Sequence, residues 1–123
     1  MDNVNEKKLG FEVQVPLYIT AERIDDLLCS AFEGGANYWA SITLNGSSKE
    51  NTYFELVEQG KVEVEDYEEG ETYPLTVESI EKALKIMGDK YDWHLKNIIN
   101  ENDDGETGDV LLQCAVLGDI VYG

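Results

Sequence analysis

Apolar and polar positions alternate first between residues 9 and 19, where Phe11, Val13, Val15 and Leu17 share one face and Glu12 and Gln14 the other. A period of two predicts a half-buried strand, with Pro16 confining it to an edge or a bulge. The period then changes. Thr20 has the chemistry of an N-cap, and Ile24, Leu27, Leu28, Ala31 and Phe32 form a stripe at helical spacing, predicting a helix over roughly 21–33 that stops at Gly34-Gly35. Tyr38–Leu44 predicts a second strand, closed by the turn signal Asn45-Gly46, and residues 45–51 form a polar connection. Residues 52–57 fit a short helix or a strand, and the pattern does not choose. Val62 and Val64 alternate with acids over 61–66, and 71–75 returns after Glu68-Glu69-Gly70 as the partner of a hairpin.

The second half is helical. Thr76 caps a segment with Val77, Ile80, Ala83, Leu84 and Met87 on one face, and Tyr91, Leu95, Ile98 and Ile99 either continue it past Gly88 or restart it after a kink. After a loop at 100–105, Thr107 is expected to cap a last helix bearing Val110, Leu111, Cys114 and Leu117, ended by Gly118. Ile120-Val121-Tyr122 is an apolar tail that must dock. Mixed elements without strict strand–helix alternation predict an α+β class, a small antiparallel sheet carrying helices on one face. The 123 residues, 42 % of them hydrophobic, suit a single domain over 1–123 with residues 1–8 as a disordered tail.

Charge changes the picture more than composition does. Asp and Glu number 26 against 9 Lys and Arg, a net charge of −17, and Arg23 is the one arginine. Arginine is the usual phosphate clamp, so direct nucleic-acid binding is disfavoured and a basic partner is expected. Within the hairpin, Glu63, Glu65, Asp66, Glu68, Glu69 and Glu71 form the densest acidic run, with Asp103 and Asp104 as a second patch. Same-face strand residues lie about 6.5–7 Å apart, and acids from the turn and return strand bring the row toward the phosphate spacing of a DNA strand, about 3.4 Å. The competing reading of the hairpin is a solvated edge kept from aggregating by its charge.

Other chemistry is sparse. Cys29 and Cys114 lie in apolar helical patterns and read as buried, inert thiols; His94, the one histidine, reads as a surface or half-buried residue. No nucleophile elbow, phosphate loop or dinucleotide fingerprint is present, so neither enzymatic activity nor a cofactor is expected. Residues 100–111 match a calcium loop at Asn100, Asn102, Asp104 and Gly105, but Leu111 stands where a bidentate glutamate is required, and no metal is expected. No apolar run approaches the roughly 18 residues of a membrane span, and no signal-peptide core is seen, giving a soluble, cytoplasmic expectation. Glu33-Gly34-Gly35-Ala36-Asn37-Tyr38-Trp39 has two readings. It is a helix stop leading into a core strand, with glycines that let backbones approach, or a pocket wall in which Glu33 and Asn37 make polar contacts and Tyr38 or Trp39 stacks on a flat ligand. A nucleotide in so negative a protein needs local shielding, and Lys82, Lys85, Lys90 and Lys96 concentrate positive charge in the second helical region.

The stretch Glu33–Trp39, together with Asp109–Gln113 and Gly118–Gly123, resembles a group of small uncharacterised bacteriophage and mobile-element proteins that share EGG-x-NYW and a D-V-x-L-Q…G-x-I-V-Y-G ending. The resemblance implies a genome context and transfers no catalytic residue. Small acidic phage proteins include inhibitors of host defence, among them anti-CRISPR and antirestriction proteins that imitate DNA. The expected function is therefore inhibition of a basic, nucleic-acid-handling host protein in the cytoplasm of an infected bacterium, by occupation of its site. The alternative is a small-ligand binder that sequesters a nucleotide signal near Trp39.

Overall fold

The computed structural model describes residues 10–123 apart from 12, 14, 48 and 102–104. The proposed tail 1–8, Asp103, Asp104 and the middle of the calcium-like loop therefore lie outside the described residues.

Helices α1 (Ala21–Ser30), α2 (Tyr53–Glu58), α3 (Val77–Lys90), α4 (Asp92–Ile99) and α5 (Gly105–Leu117) accompany strands β1 (Ala40–Leu44), β2 (Val62–Asp66) and β3 (Thr72–Pro74). The strands form one antiparallel sheet in the order β1-β2-β3, with Ala40 opposite Asp66, Leu44 opposite Val62 and Glu65 opposite Thr72. This is the α+β class that the pattern predicts. Alternation along β2 buries Val62, Val64 and Asp66 and turns Glu63 and Glu65 to solvent. Leu27, Leu28, Leu56, Leu75, Met87, Ile98, Leu111 and Leu112 complete the core beneath.

Helix α5 organises the packing. Every residue from Thr107 to Ala115 is buried, the polar Thr107, Asp109 and Gln113 among them. Its crossing with α1 is tight: a Cβ on Gly108 would meet the Leu27 carbonyl oxygen at 2.7 Å, and one on Gly35 would meet the Gly105 carbonyl oxygen at 2.6 Å. The second glycine of the EGG stretch thus serves close backbone approach.

Local signals set the helix ends. Thr20 Oγ1 accepts the Arg23 N–H at 3.2 Å and starts α1, which runs on into a π-helical turn over Ala31–Gly35. The undecided segment 52–57 is helical because Thr52 and Glu55 form a reciprocal capping box, at 3.1 and 2.8 Å, while Asp25 Oδ1 accepts the Phe54 N–H at 3.0 Å. Thr76 caps α3, which passes through Gly88 and breaks at Tyr91. A left-handed Gly118 (φ 84) follows α5.

Three expectations fail. The alternating segment 9–19 forms no strand among its described residues: Phe11, Val13, Val15 and Leu17 are exposed, at 97, 74, 66 and 54 %. Alternation marks which side chains would share a face; it does not supply a sheet edge to pair with, and the described sheet stops at β1 and β3. Thr107 does not cap α5, which begins at Gly105; it lies buried in the first turns, its Oγ1 3.3 Å from Nδ1 of His94. His94 is itself buried, placed inward on the stripe that Tyr91 and Ile98 define, while Trp93 faces out. Of the thiols, Cys114 is buried and Cys29 half-buried.

Candidate functional site

Because β2 alternates and the turn after it projects from the sheet, Glu63, Glu65, Glu68, Glu69 and Glu71 are all exposed. Across the outer face, Glu63 stands between Thr43 and Pro74, and Glu65 between Ser41 and Thr72, so no neighbouring strand offers a cation. Among the described residues, the ion pairs join Arg23 to Asp26, Lys90 to Asp119 and Lys96 to Asp92, leaving these glutamates unpaired. Asp66 leaves the patch. It is 1 % exposed, its Oδ1 accepts the Glu68 and Glu69 N–H groups at 2.9 and 3.3 Å, and both its oxygens receive the Tyr122 hydroxyl at 2.9 Å. It is the fastening of the turn rather than a contact for a partner.

A second acidic region, unseen in the sequence pattern, lies between α1 and α2. One cleft of about 440 Å³ is lined by Asp25, Glu33, Glu50 and Glu55 together with Lys49 and Tyr53, and a neighbouring one of about 500 Å³ by Glu22, Asp26 and Glu58 among others. Glu33 accepts the Tyr53 hydroxyl at 2.7 Å, which holds its carboxyl below the ordinary range and pushes the Tyr53 phenol up to about 12. Asp25 stands on α1 and Glu55 on α2, so these acids come together only once the two helices pack.

The four residues proposed as a pocket are divided. Glu33 belongs to the α1–α2 cleft, Asn37 is exposed, and Tyr38 and Trp39 face the chain's last residues. Trp39 is 3 % exposed, stacks on Tyr122 with ring centroids 5.6 Å apart, and donates its indole N–H to Asp109 Oδ1 at 2.7 Å. Its face and its donor are both engaged, so it offers no free platform for a ligand at that position.

Tyr38 and Trp39 belong instead to a part-buried polar network built by the two motif segments. Tyr38 donates its hydroxyl to Asp109 Oδ2 at 2.5 Å. Gln113 Nε2 reaches Asp109 Oδ1 at 3.1 Å and the Tyr122 carbonyl at 3.0 Å, while its Oε1 accepts the Val121 and Tyr122 N–H groups at 2.7 and 2.9 Å. Asp119 fixes the start of the tail, accepting from Lys90 Nζ at 2.7 Å and from the Ile120 N–H at 2.8 Å, with the Tyr91 hydroxyl as a further donor. These donors, Lys90 first, hold the Asp119 carboxyl down at about 2. Burial, then the bonds to Asp109 and Asp66 respectively, push the phenols of Tyr38 and Tyr122 up to about 12. Ile120 and Tyr122 of the apolar tail dock on the core while the Val121 side chain stays exposed, and NYW and DVLLQ…IVYG are the two halves of the latch.

Two open clefts flank the latched tail. One of about 480 Å³ is lined by Tyr38, Trp93, His94, Glu106, Asp109 and Gln113 among others; the other, of about 360 Å³, by Tyr38, Trp39, Tyr67, Glu68, Tyr122 and Gly123. Neither holds a cluster suited to a metal: among the described residues no three His, Cys, Asp or Glu side chains converge on one. The calcium-like loop loses its last position too, since Leu111 is buried within α5. Burial pushes the Cys114 thiol up to about 11, consistent with an inert core residue. No described helix is long and apolar enough to cross a membrane. No family model, curated protein or solved structure matches this chain.

Proposed function

We propose that the protein binds a basic, nucleic-acid-handling host protein through its acidic surface and acts by occupying that protein's phosphate-binding groups, without catalysis. The observation that carries the proposal is the outward row Glu63, Glu65, Glu68, Glu69 and Glu71, unpaired among the described residues, on three strands and a turn that contain no Lys or Arg, Lys61 standing just before β2. A face kept soluble by charge needs only a scatter of acids, whereas a row on a rigid hairpin matches a row of Lys and Arg. The α1–α2 acids extend the negative surface beyond the hairpin. The resemblance of the two latch segments to phage proteins favours a bacterial defence enzyme as the partner, of the CRISPR or restriction kind. Reversing Glu65 and Glu69 to Lys tests the reading: association with the partner slows at low salt, and the thermal midpoint hardly moves, because neither side chain has a fold-holding contact. Unchanged association would remove the hairpin from the interface.

A small-ligand role keeps one support, the cleft of about 480 Å³ with Trp93, 53 % exposed, at its wall. Titrating Trp fluorescence against a nucleotide panel tests it, and a flat response to every nucleotide removes it.

A further inference from the structure

The cleft of about 360 Å³ beside the hairpin turn is walled by the exposed rings of Tyr38 and Tyr67, with the stacked Trp39–Tyr122 pair and Gly123 behind them and Glu68 at its border. The fold assembles it from three places in the sequence. The Tyr67 N–H donates to the Trp39 carbonyl at 2.9 Å, holding the end of β2 beside the approach to β1, and the latch brings Tyr122 against Trp39. Tyr38 and Tyr67 remain 54 and 58 % exposed, so the cleft opens to solvent.

Its electrostatics select the sign of an occupant. Aromatic faces are negative and attract cations within about 6 Å of the ring centroid. Tyr38 and Tyr122 both donate their hydroxyls to carboxylates, Asp109 and Asp66, which raises electron density in those rings. Glu68 is exposed at the border and free of the ion pairs seen elsewhere among the described residues. An anion would meet the Glu68 carboxylate and the negative ring faces, whereas a cation is attracted by both.

We infer that this aromatic cleft receives one arginine or lysine side chain of the basic partner, while the hairpin glutamates engage its neighbours. The inference rests on the proposed function and adds to it a specific anchor. A guanidinium is suited to both walls, stacking flat on the rings and bonding Glu68. The acidic row then supplies long-range attraction and the cleft a desolvated contact, the division expected between the rim and centre of an interface.

The test uses the full chain and an oligo-arginine peptide, with the matching oligo-citrulline peptide as an uncharged control of the same shape. The arginine peptide is expected to bind, the citrulline peptide not, and the Trp39 indole N–H resonance to shift on binding. Tyr67→Ala, at an exposed position, lowers the affinity about 3- to 10-fold, and Tyr67→Phe, which keeps the ring, restores it. Wild-type affinity in Tyr67→Ala overturns the inference, as does an unmoved Trp39 resonance in a peptide complex, or a nucleotide that shifts Trp39 while the peptide does not. The proposed function fails separately: if Glu65→Lys/Glu69→Lys binds the peptide as the wild type does, the acidic row is idle. If that variant weakens binding while Tyr67→Ala does not, the row stands and the cleft alone is rejected. Absence of any arginine-peptide binding overturns both.

Discussion

Replacing Asp109 by Ala removes the centre of the tail latch, and the cost follows from what each of its donors can do next. The Trp39 indole N–H is buried, with Asp109 as its acceptor, so it loses that bond; an orphaned buried donor costs about 1–3 kcal/mol. The Tyr38 hydroxyl is on a half-exposed ring and can turn to solvent, adding little. Gln113 keeps the Tyr122 carbonyl at 3.0 Å, so its amide stays partnered. With the lost packing of the side chain, Asp109→Ala is expected to cost about 2–4 kcal/mol, against the 5–15 typical of a domain, leaving a folded but weakened protein. At about 3–5 °C per kcal/mol for a chain of this length, the melting midpoint falls by about 6–20 °C. Urea and thermal melts followed by far-UV circular dichroism measure this independently of the tryptophans. Adding Trp39→Phe removes the orphaned donor, so the two changes together cost less than their sum, by about 1–2 kcal/mol. Additive costs, or a loss below about 0.5 kcal/mol for Asp109→Ala alone, would refute the network as the latch.

Other outcomes follow from the same geometry. Gly108→Ala is expected to destabilise by about 1–3 kcal/mol in urea melts, because its Cβ would press on the Leu27 carbonyl at 2.7 Å, whereas Gly88→Ala, with 3.6 Å to a Leu95 methyl, is neutral or stabilising. Tyr38 and Tyr122, held protonated up to about 12 against an ordinary 10.0, contribute stability that is complete below about pH 10 and lost as pH rises through 12. Phenolate absorbance should show their late ionisation together with release of the tail, and titration of every tyrosine near 10 would contradict it. At the other extreme, Asp119 is lowered from 3.8 to about 2, so its contribution is present above about 3.8 and disappears as pH falls through 2. Hydrogen exchange at the Ile120 amide across that range reports the loss, and Lys90→Ala should shift it to higher pH.

The hairpin, α1 and α3 were legible because each carries its own period, its cap and its turn residues within a dozen positions. The capping box at Thr52 and Glu55 was legible too, as a Thr-x-x-Glu spacing, and would have settled α2. His94 occupies the inner stripe of α4, three after Tyr91 and four before Ile98, so its burial was implied by the very pattern that defined the helix. The strand expected over 9–19 shows the opposite limit: a periodic segment cannot announce whether a partner edge is free. Alternation over 61–66 already put Asp66 on the face of Val62 and Val64; what stayed hidden was the Tyr122 hydroxyl, far away in the chain, that partners a carboxylate buried there. The latch was out of reach for a different reason. Tyr38 and Asp109 are 71 residues apart and Asp66 and Tyr122 56 apart, and such pairings exist only after the sheet and α5 have been placed. The resemblance quoted both halves of the latch without showing that they touch. The glycines and aromatics of residues 33–39 pointed to Trp39 as a pocket residue, when the surface that faces solvent beside it belongs to Tyr38 and Tyr67.

The central claim is that the acidic row competes with nucleic acid for a basic host protein. Its most direct measurement compares immobilised wild type with the Glu65→Lys/Glu69→Lys variant for retention of proteins from a bacterial extract, at low and raised salt and with duplex DNA added as competitor. The account predicts that wild type retains a nucleic-acid-binding protein which both salt and duplex DNA release, and that the variant does not retain it. Equal retention by the variant, or retention that neither salt nor DNA disturbs, would contradict it.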